Sequence, residues 1–81
     1  MNTKETVRSV LAATLQVGER AKNWDDDTKL LGALPELDSM AVVTVLTELE
    51  ERLGIEVPDD EISADTFETF GALVAFVESK L

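Results

Sequence analysis

The stretch DSMAVVTVLTELEERLG, Asp38 to Gly54, decides the fold. Its apolar residues Val42, Val43, Leu46, Leu49 and Leu53 fall at separations of three and four, which makes one wide stripe of a helix. The β-branched run Val42 to Val45 argues locally for a strand. The strand is rejected because ELEERL continues the same face with strong helix formers. A helix is therefore predicted over Ser39 to Leu53. Asp38 or Ser39 can cap its first amides, and Gly54 stands where a left-handed C-terminal glycine belongs. On a wheel, the face opposite the stripe carries Met40, Thr44, Thr47 and Glu51.

Outward from this helix the chain stays helical. Val7, Val10, Leu11 and Leu15 recur at helical spacing and predict an amphipathic helix from Thr3 to about Val17, ending near Gly18. The segment Gly18 to Asp38 holds two glycines, a proline and an aspartate run without a sustained period. It reads as a long loop, pinned to the core by some of Trp24, Leu30, Leu31, Leu34 and Leu37. Such a loop is uncommon in a small domain unless it is functional or internally packed. After Pro58 one short helix is expected near Asp59 to Ala64. A last helix is expected over Thr69 to Leu81, with Thr69 as cap and Phe70, Leu73, Val74, Phe76 and Val77 apolar. The expectation is one all-α domain over residues 1–81, with three main helices, a short one and no internal repeat.

Composition narrows the chemistry. The 81 residues contain no cysteine and no histidine. A Ser/His/Asp nucleophile is therefore excluded, and a zinc site would need carboxylates alone. The runs Asp25 to Asp27 and Asp59 to Glu61 lack the spacing and turn glycine of an EF-hand, so both read as solvated acidic surface and no metal is expected. No glycine-rich phosphate loop occurs. The start lacks the apolar core of a secretory signal, and no apolar run is long enough for a membrane span, which predicts a cytoplasmic protein without membrane insertion. The formal charge is −10, and all of it falls after Pro35, where twelve acids face only Arg52 and Lys80. Nucleic acid is disfavoured as a partner, and proteins with basic patches are favoured.

Read further, the residues resemble an acyl carrier protein. The match runs through LDSMAVVTVLTELEERLGIEVPDDEI and TFETFGALVAFV: Asp-Ser-Met opens the second helix, a Glu-Glu pair lies toward its end, Val-Pro-Asp-Asp leads into a short helix, and Thr-Phe-Gly opens the last. The family's own run is Asp-Ser-Leu, an acidic helix, a segment like Ile-Pro-Asp-Glu, then Thr-Val-Gly. The resemblance extends over the whole chain. The wording from Pro35 to Glu56 is also similar to carriers associated with bacterial exosortase and exopolysaccharide gene clusters.

That resemblance implies a four-helix bundle with a long loop between helices one and two, and a carrier rather than an enzyme. It implies 4′-phosphopantetheine, joined from coenzyme A to the Ser39 hydroxyl by a phosphopantetheinyl transferase, with acyl groups held as thioesters on the arm's thiol. The core between the helices would shelter the acyl chain. Partners would be that transferase and acyl-activating or acyl-transfer enzymes with basic patches, meeting a monomeric carrier. They would dock on Asp38, Met40, Thr44, Thr47, Glu48, Glu50, Glu51, Asp59, Asp60 and Glu61. A serine at a helix N-terminus suits a phosphodiester, since free amides and the helix dipole favour an anion there. Ala41 and Thr44 stand where the family commonly has acids. That departure points from general fatty acid biosynthesis toward a dedicated carrier in a specialised acyl-transfer, lipid or polyketide pathway. An aminoacyl or peptidyl carrier of the same fold is the nearest rival, and an acidic interaction module without a prosthetic group is a more distant one.

Overall fold

A computed structural model describes residues 2–81, with the side chain of Asp59 outside the described set. Among the described residues there are three α-helices: α1, Thr3–Leu15; α2, Ser39–Leu53; and α3, Phe70–Ser79. Three shorter 3₁₀ segments, Gly18–Asn23, Asp59–Glu61 and Ala64–Phe67, complete the helical content. The only β pairing among the described residues is one antiparallel bridge between Lys29 and Thr69.

Helix α1 packs on both α2 and α3. It buries Val7, Val10, Leu11 and Leu15, the four residues its spacing predicts. Its end differs slightly from expectation, because Gln16 already turns left-handed at φ 56° and caps the helix two residues before Gly18, which is left-handed as well at φ 51°. Arg8 leaves the helix sideways. Its guanidinium donates to the carbonyls of Ala21 and Trp24 and lies 5.0 Å from the centroid of the Phe70 ring. Trp24 in turn meets Phe70 at 5.9 Å between ring centroids.

Helix α2 has the predicted bounds, and Gly54 closes it at φ 66°. Its buried stripe is rotated from the expected one. Val45, Leu46 and Leu49 are buried, Val42 and Leu53 are half-buried, and Val43 is 61% exposed. At 100° per residue Val45 lies nearer than Val43 to the centre of the arc through Val42, Leu46, Leu49 and Leu53, so Val45 takes the core position.

The connection from Gly18 to Asp38 is pinned to the core as expected, by Trp24, Leu30 and Leu37, while Leu31 stays 41% exposed; unannounced by the sequence is the 3₁₀ segment that opens it and buries Ala21. One other expectation is corrected. The single short helix near Asp59 to Ala64 is instead two 3₁₀ segments. The second, Ala64–Phe67, lies further along because it buries Thr66 and Phe67. Helix α3 starts after its Thr69 cap as expected and buries Phe70, Leu73, Val74 and Val77.

Candidate functional site

The start of α2 is built from the cap outward. Asp38 is extended, at φ −106° and ψ −175°, and its Oδ1 accepts the Ala41 amide at 2.8 Å. Asp38 is therefore the cap, and Ser39 is the first helical residue. The Ser39 side chain is exposed, and its hydroxyl has no hydrogen-bond partner among the described residues. The amides of Ser39 and Met40 likewise meet no acceptor among the described residues. Two unpaired donors and the positive end of the dipole thus surround an accessible hydroxyl, which suits a phosphate ester at that oxygen. That is the fit the residues offer to a phosphate-bearing prosthetic group.

Beside the hydroxyl opens a cleft of about 530 Å³, lined by Leu31, Asp38, Ser39, Val42, Ile62, Ser63, Ala64 and Phe67. Its wall comes from three places: the N-terminal half of α2, the Ala64–Phe67 segment, and Leu31 from the long connection. The Leu31 amide donates to the Phe67 carbonyl at 2.9 Å, so two opposite walls are tied together by backbone. Sequence reasoning singled out neither Ile62 nor Phe67, and it treated Leu31 and Val42 as core residues. The available signal was weak, since all four are ordinary apolar residues whose meeting depends on tertiary packing.

Of the residues expected to face partners, Met40 is 75% exposed, and Thr44, Thr47 and Glu51 are exposed on the same face. Thr44 donates its hydroxyl to the Met40 carbonyl and Thr47 to the Val43 carbonyl, each at 3.0 Å. The acids behave unequally. Glu48 pairs with Arg52 at 3.7 Å, Glu61 pairs with Lys80, and Glu50 is half-buried with its carboxylate accepting the Val57 amide at 2.8 Å. Asp60 is exposed, and Asp59 has no described side chain. Among the described residues no set of three or more Asp and Glu is gathered as a metal site. In the Asp25 to Asp27 run, Asp25 folds back on the Asp27 amide at 2.9 Å and Asp26 pairs with Lys4 at 3.0 Å.

One residue upstream was not foreseen. Glu36 receives a hydrogen bond from Arg20 of the 3₁₀ segment Gly18–Asn23, which fastens the chain just before it enters α2. The Arg20 hydrogen bond, with help from backbone and charge, holds the Glu36 carboxyl below its ordinary range against a small opposing desolvation.

Comparison with known proteins agrees with this geometry. A family model described as a phosphopantetheine attachment site matches residues 5–77. D-alanyl carrier protein 1 of Lactiplantibacillus plantarum is 40% identical over 78 residues, 96% of this chain and 92% of that protein. The acyl carrier protein of Helicobacter hepaticus is 33% identical over 79 residues, 98% of this chain and 97% of that protein. The solution structure of a holo acyl carrier protein from Nitrosomonas europaea superposes with a TM-score of 0.90 at 54% identity, covering 99% of this chain and 96% of that one. A chain in the crystal structure of an engineered Bradyrhizobium japonicum glycine:carrier protein ligase, complexed with carrier protein from Agrobacterium tumefaciens and ATP, superposes with a TM-score of 0.78 at 27% identity, covering 96% of this chain and 99% of that one. Among the described residues no helix is long and apolar enough to cross a membrane. The chain belongs to the phosphopantetheine-attachment family, in which acyl carrier proteins stand: it is a carrier rather than a catalyst, and its covalent prosthetic group is 4′-phosphopantetheine.

Proposed function

We propose that Ser39 bears the phosphopantetheine arm and that the protein carries acyl groups for a specialised acyl-transfer, lipid or polyketide pathway. The observation that carries this reading is the placement of an unpaired serine hydroxyl at the first position of α2, beside two unpaired amides and at the mouth of an apolar cleft. When bound, the group supplies a thiol that holds cargo as a thioester. The chain's own residues do the rest. Asp38 satisfies the Ala41 amide, so the Ser39 hydroxyl is not consumed by capping. The Ser39 and Met40 amides favour the phosphate charge. Leu31, Val42, Ile62, Ala64 and Phe67 offer an apolar surface next to the attachment point, which favours an acyl chain.

In this reading a phosphopantetheinyl transferase loads the arm from coenzyme A, and acyl-activating and acyl-transfer enzymes use it. They approach over Asp38, Met40, Thr44, Thr47 and Glu51, with Glu48, Glu50, Asp59, Asp60 and Glu61 as further acids for their basic patches. The carrier works in the cytoplasm as a monomer.

The D-alanyl relatives favour a second reading, an aminoacyl carrier of the same architecture. Intact mass of the protein purified from its native cells, before and after hydroxylamine, separates the two. Release of a fatty or polyketide acyl hydroxamate supports the first reading. Release of an amino acid hydroxamate overturns it in favour of the second.

A further inference from the structure

The connection from α1 to α2 is held in two different ways. Its residues 26–31 are tied to residues 67–71 by four backbone hydrogen bonds, donated by Leu30, Leu31, Phe70 and Gly71. Residues 32–37, which deliver the chain to the tether site, have no such bond to another element among the described residues. The Ala33 and Leu34 amides donate to the Leu30 carbonyl, the Leu37 amide donates to Leu34, and the Glu36 carbonyl takes the Asp38 amide. Leu37 is buried and gives this stretch an apolar hold. Its only polar tie to another element, among the described residues, is the ion pair of Glu36 with Arg20.

That tie runs on to the tether site without a break. Arg8 of α1 donates to the Ala21 carbonyl, which fixes the 3₁₀ segment that carries Arg20. Arg20 holds the Glu36 carboxylate, and the Glu36 carbonyl holds the Asp38 amide at 3.2 Å. Asp38 then caps the Ala41 amide, with Ser39 between them. Stability alone is a poor reason for the pair. The Arg20 and Glu36 side chains are 58% and 34% exposed, and pairs so exposed contribute little. Moreover, Glu36 Oε1 is buried without a hydrogen-bond partner among the described residues, which costs stability rather than adding to it. What the pair does fix is the direction from which the chain enters α2.

We propose that Arg20 and Glu36 are positioning residues for arm transfer, their ion pair holding the approach to α2 so that the Ser39 hydroxyl keeps one place on the open first turn. In that transfer the Ser39 oxygen bonds to the arm-side phosphorus of coenzyme A and the pyrophosphate P–O bond breaks. Adenosine 3′,5′-bisphosphate leaves, and the serine proton passes to a base of the transferase. A displacement of about 1 Å is enough to slow a reaction that needs such alignment. Neither side chain touches the reacting atoms; both act through Asp38. The inference rests on the Ser39 reading.

The test follows arm transfer to the full chain from coenzyme A by a broadly acting phosphopantetheinyl transferase, with kcat and KM measured separately and the labelled peptide mapped. Arg20→Ala and Glu36→Ala should each lower kcat about three- to tenfold and change KM less than about twofold, and the double variant should be no slower than either single one. Arg20→Glu should also be slow, and adding Glu36→Arg to it should restore transfer. Lys22→Ala removes the Lys22–Glu19 pair of the same 3₁₀ segment and should leave both constants unchanged. Hydrogen exchange reads the position directly: Arg20→Ala should speed exchange of the Ala41 amide, capped by Asp38, and not of the Ala72 amide, capped by Thr69. Melting curves confirm that each variant is folded. An unchanged kcat, an effect confined to KM, equal slowing by Lys22→Ala, a charge swap that restores nothing, or unchanged Ala41 exchange would overturn the proposal while Ser39 still receives the arm. Label on another residue, or none, defeats the Ser39 reading itself.

Discussion

Helices α2 and α3 begin with the same chemistry and end up in opposite circumstances. Each has an extended cap whose side-chain oxygen accepts the third helical amide: Asp38 from Ala41 at 2.8 Å, Thr69 from Ala72 at 3.0 Å. In α3 the first two amides are also taken. Phe70 donates to the Thr28 carbonyl at 2.8 Å and Gly71 to the Asp26 carbonyl at 3.0 Å, so the long connection seals that end. In α2 the equivalent amides, on Ser39 and Met40, meet no acceptor among the described residues. A sealed N-terminus holds the fold together, and an open one leaves donors for something added later. Burial follows the same division, since Phe70 is fully buried where Ser39 is exposed.

Changes at the two ends should therefore separate attachment from stability. The largest effect is expected for Ser39→Ala, which should abolish arm incorporation while shifting the melting temperature little, because Asp38 keeps the cap; intact mass and a thermal melt read the two quantities. Next comes Gly71→Ala. A Cβ there would lie 2.7 Å from the Asp26 carbonyl oxygen, closer than such atoms approach, so the strap must move. The expected loss is about 1–3 kcal/mol in urea unfolding, with arm transfer to the folded fraction unchanged. Removing the caps sharpens the contrast: Asp38→Ala and Thr69→Ala should each cost about 1 kcal/mol, but only Asp38→Ala should slow arm transfer.

The smallest effect concerns the anchor ahead of α2. Because the Arg20 bond holds the Glu36 carboxyl below its ordinary range, its contribution is complete above the ordinary carboxylate pKa. It is lost as pH falls through the lowered folded-state value. Glu36→Gln should thus lower neutral stability slightly and make the acid limb of a stability–pH curve shallower, the two proteins converging at low pH. An acid limb that stays as steep would count against the anchor.

The open end was far more legible in the sequence than the sealed one. Bounds of α2 and its Gly54 stop follow from local rules and are where those rules put them, while the cap, open between Asp38 and Ser39 in the sequence, is Asp38. The exposure of Met40, Thr44 and Thr47 follows from the wheel. Val43 was misplaced because it was read from its spacing of three to Leu46 alone, whereas at 100° per residue Val45 lies nearer the centre of the stripe. By contrast, the Lys29–Thr69 bridge joins residues forty positions apart, and no local pattern announces it. Gly71 carries no sign of its role either. Its φ is not left-handed, and its smallness matters only because Asp26 arrives from the long connection. The cleft shares that dependence, since Leu31 and Phe67 become neighbours through a backbone bond rather than through sequence. The charge pattern misled in part: acids that read as free surface are paired with Arg52 and Lys80 or hold the Val57 amide.

The central claim is that the open end of α2 is where the arm attaches. Incubation of the full chain with coenzyme A and a phosphopantetheinyl transferase, followed by peptide mass mapping, tests it most directly. A single phosphopantetheinyl group on Ser39 is the expected result. A group on Ser9, Ser63 or Ser79, or no addition at all, would contradict it.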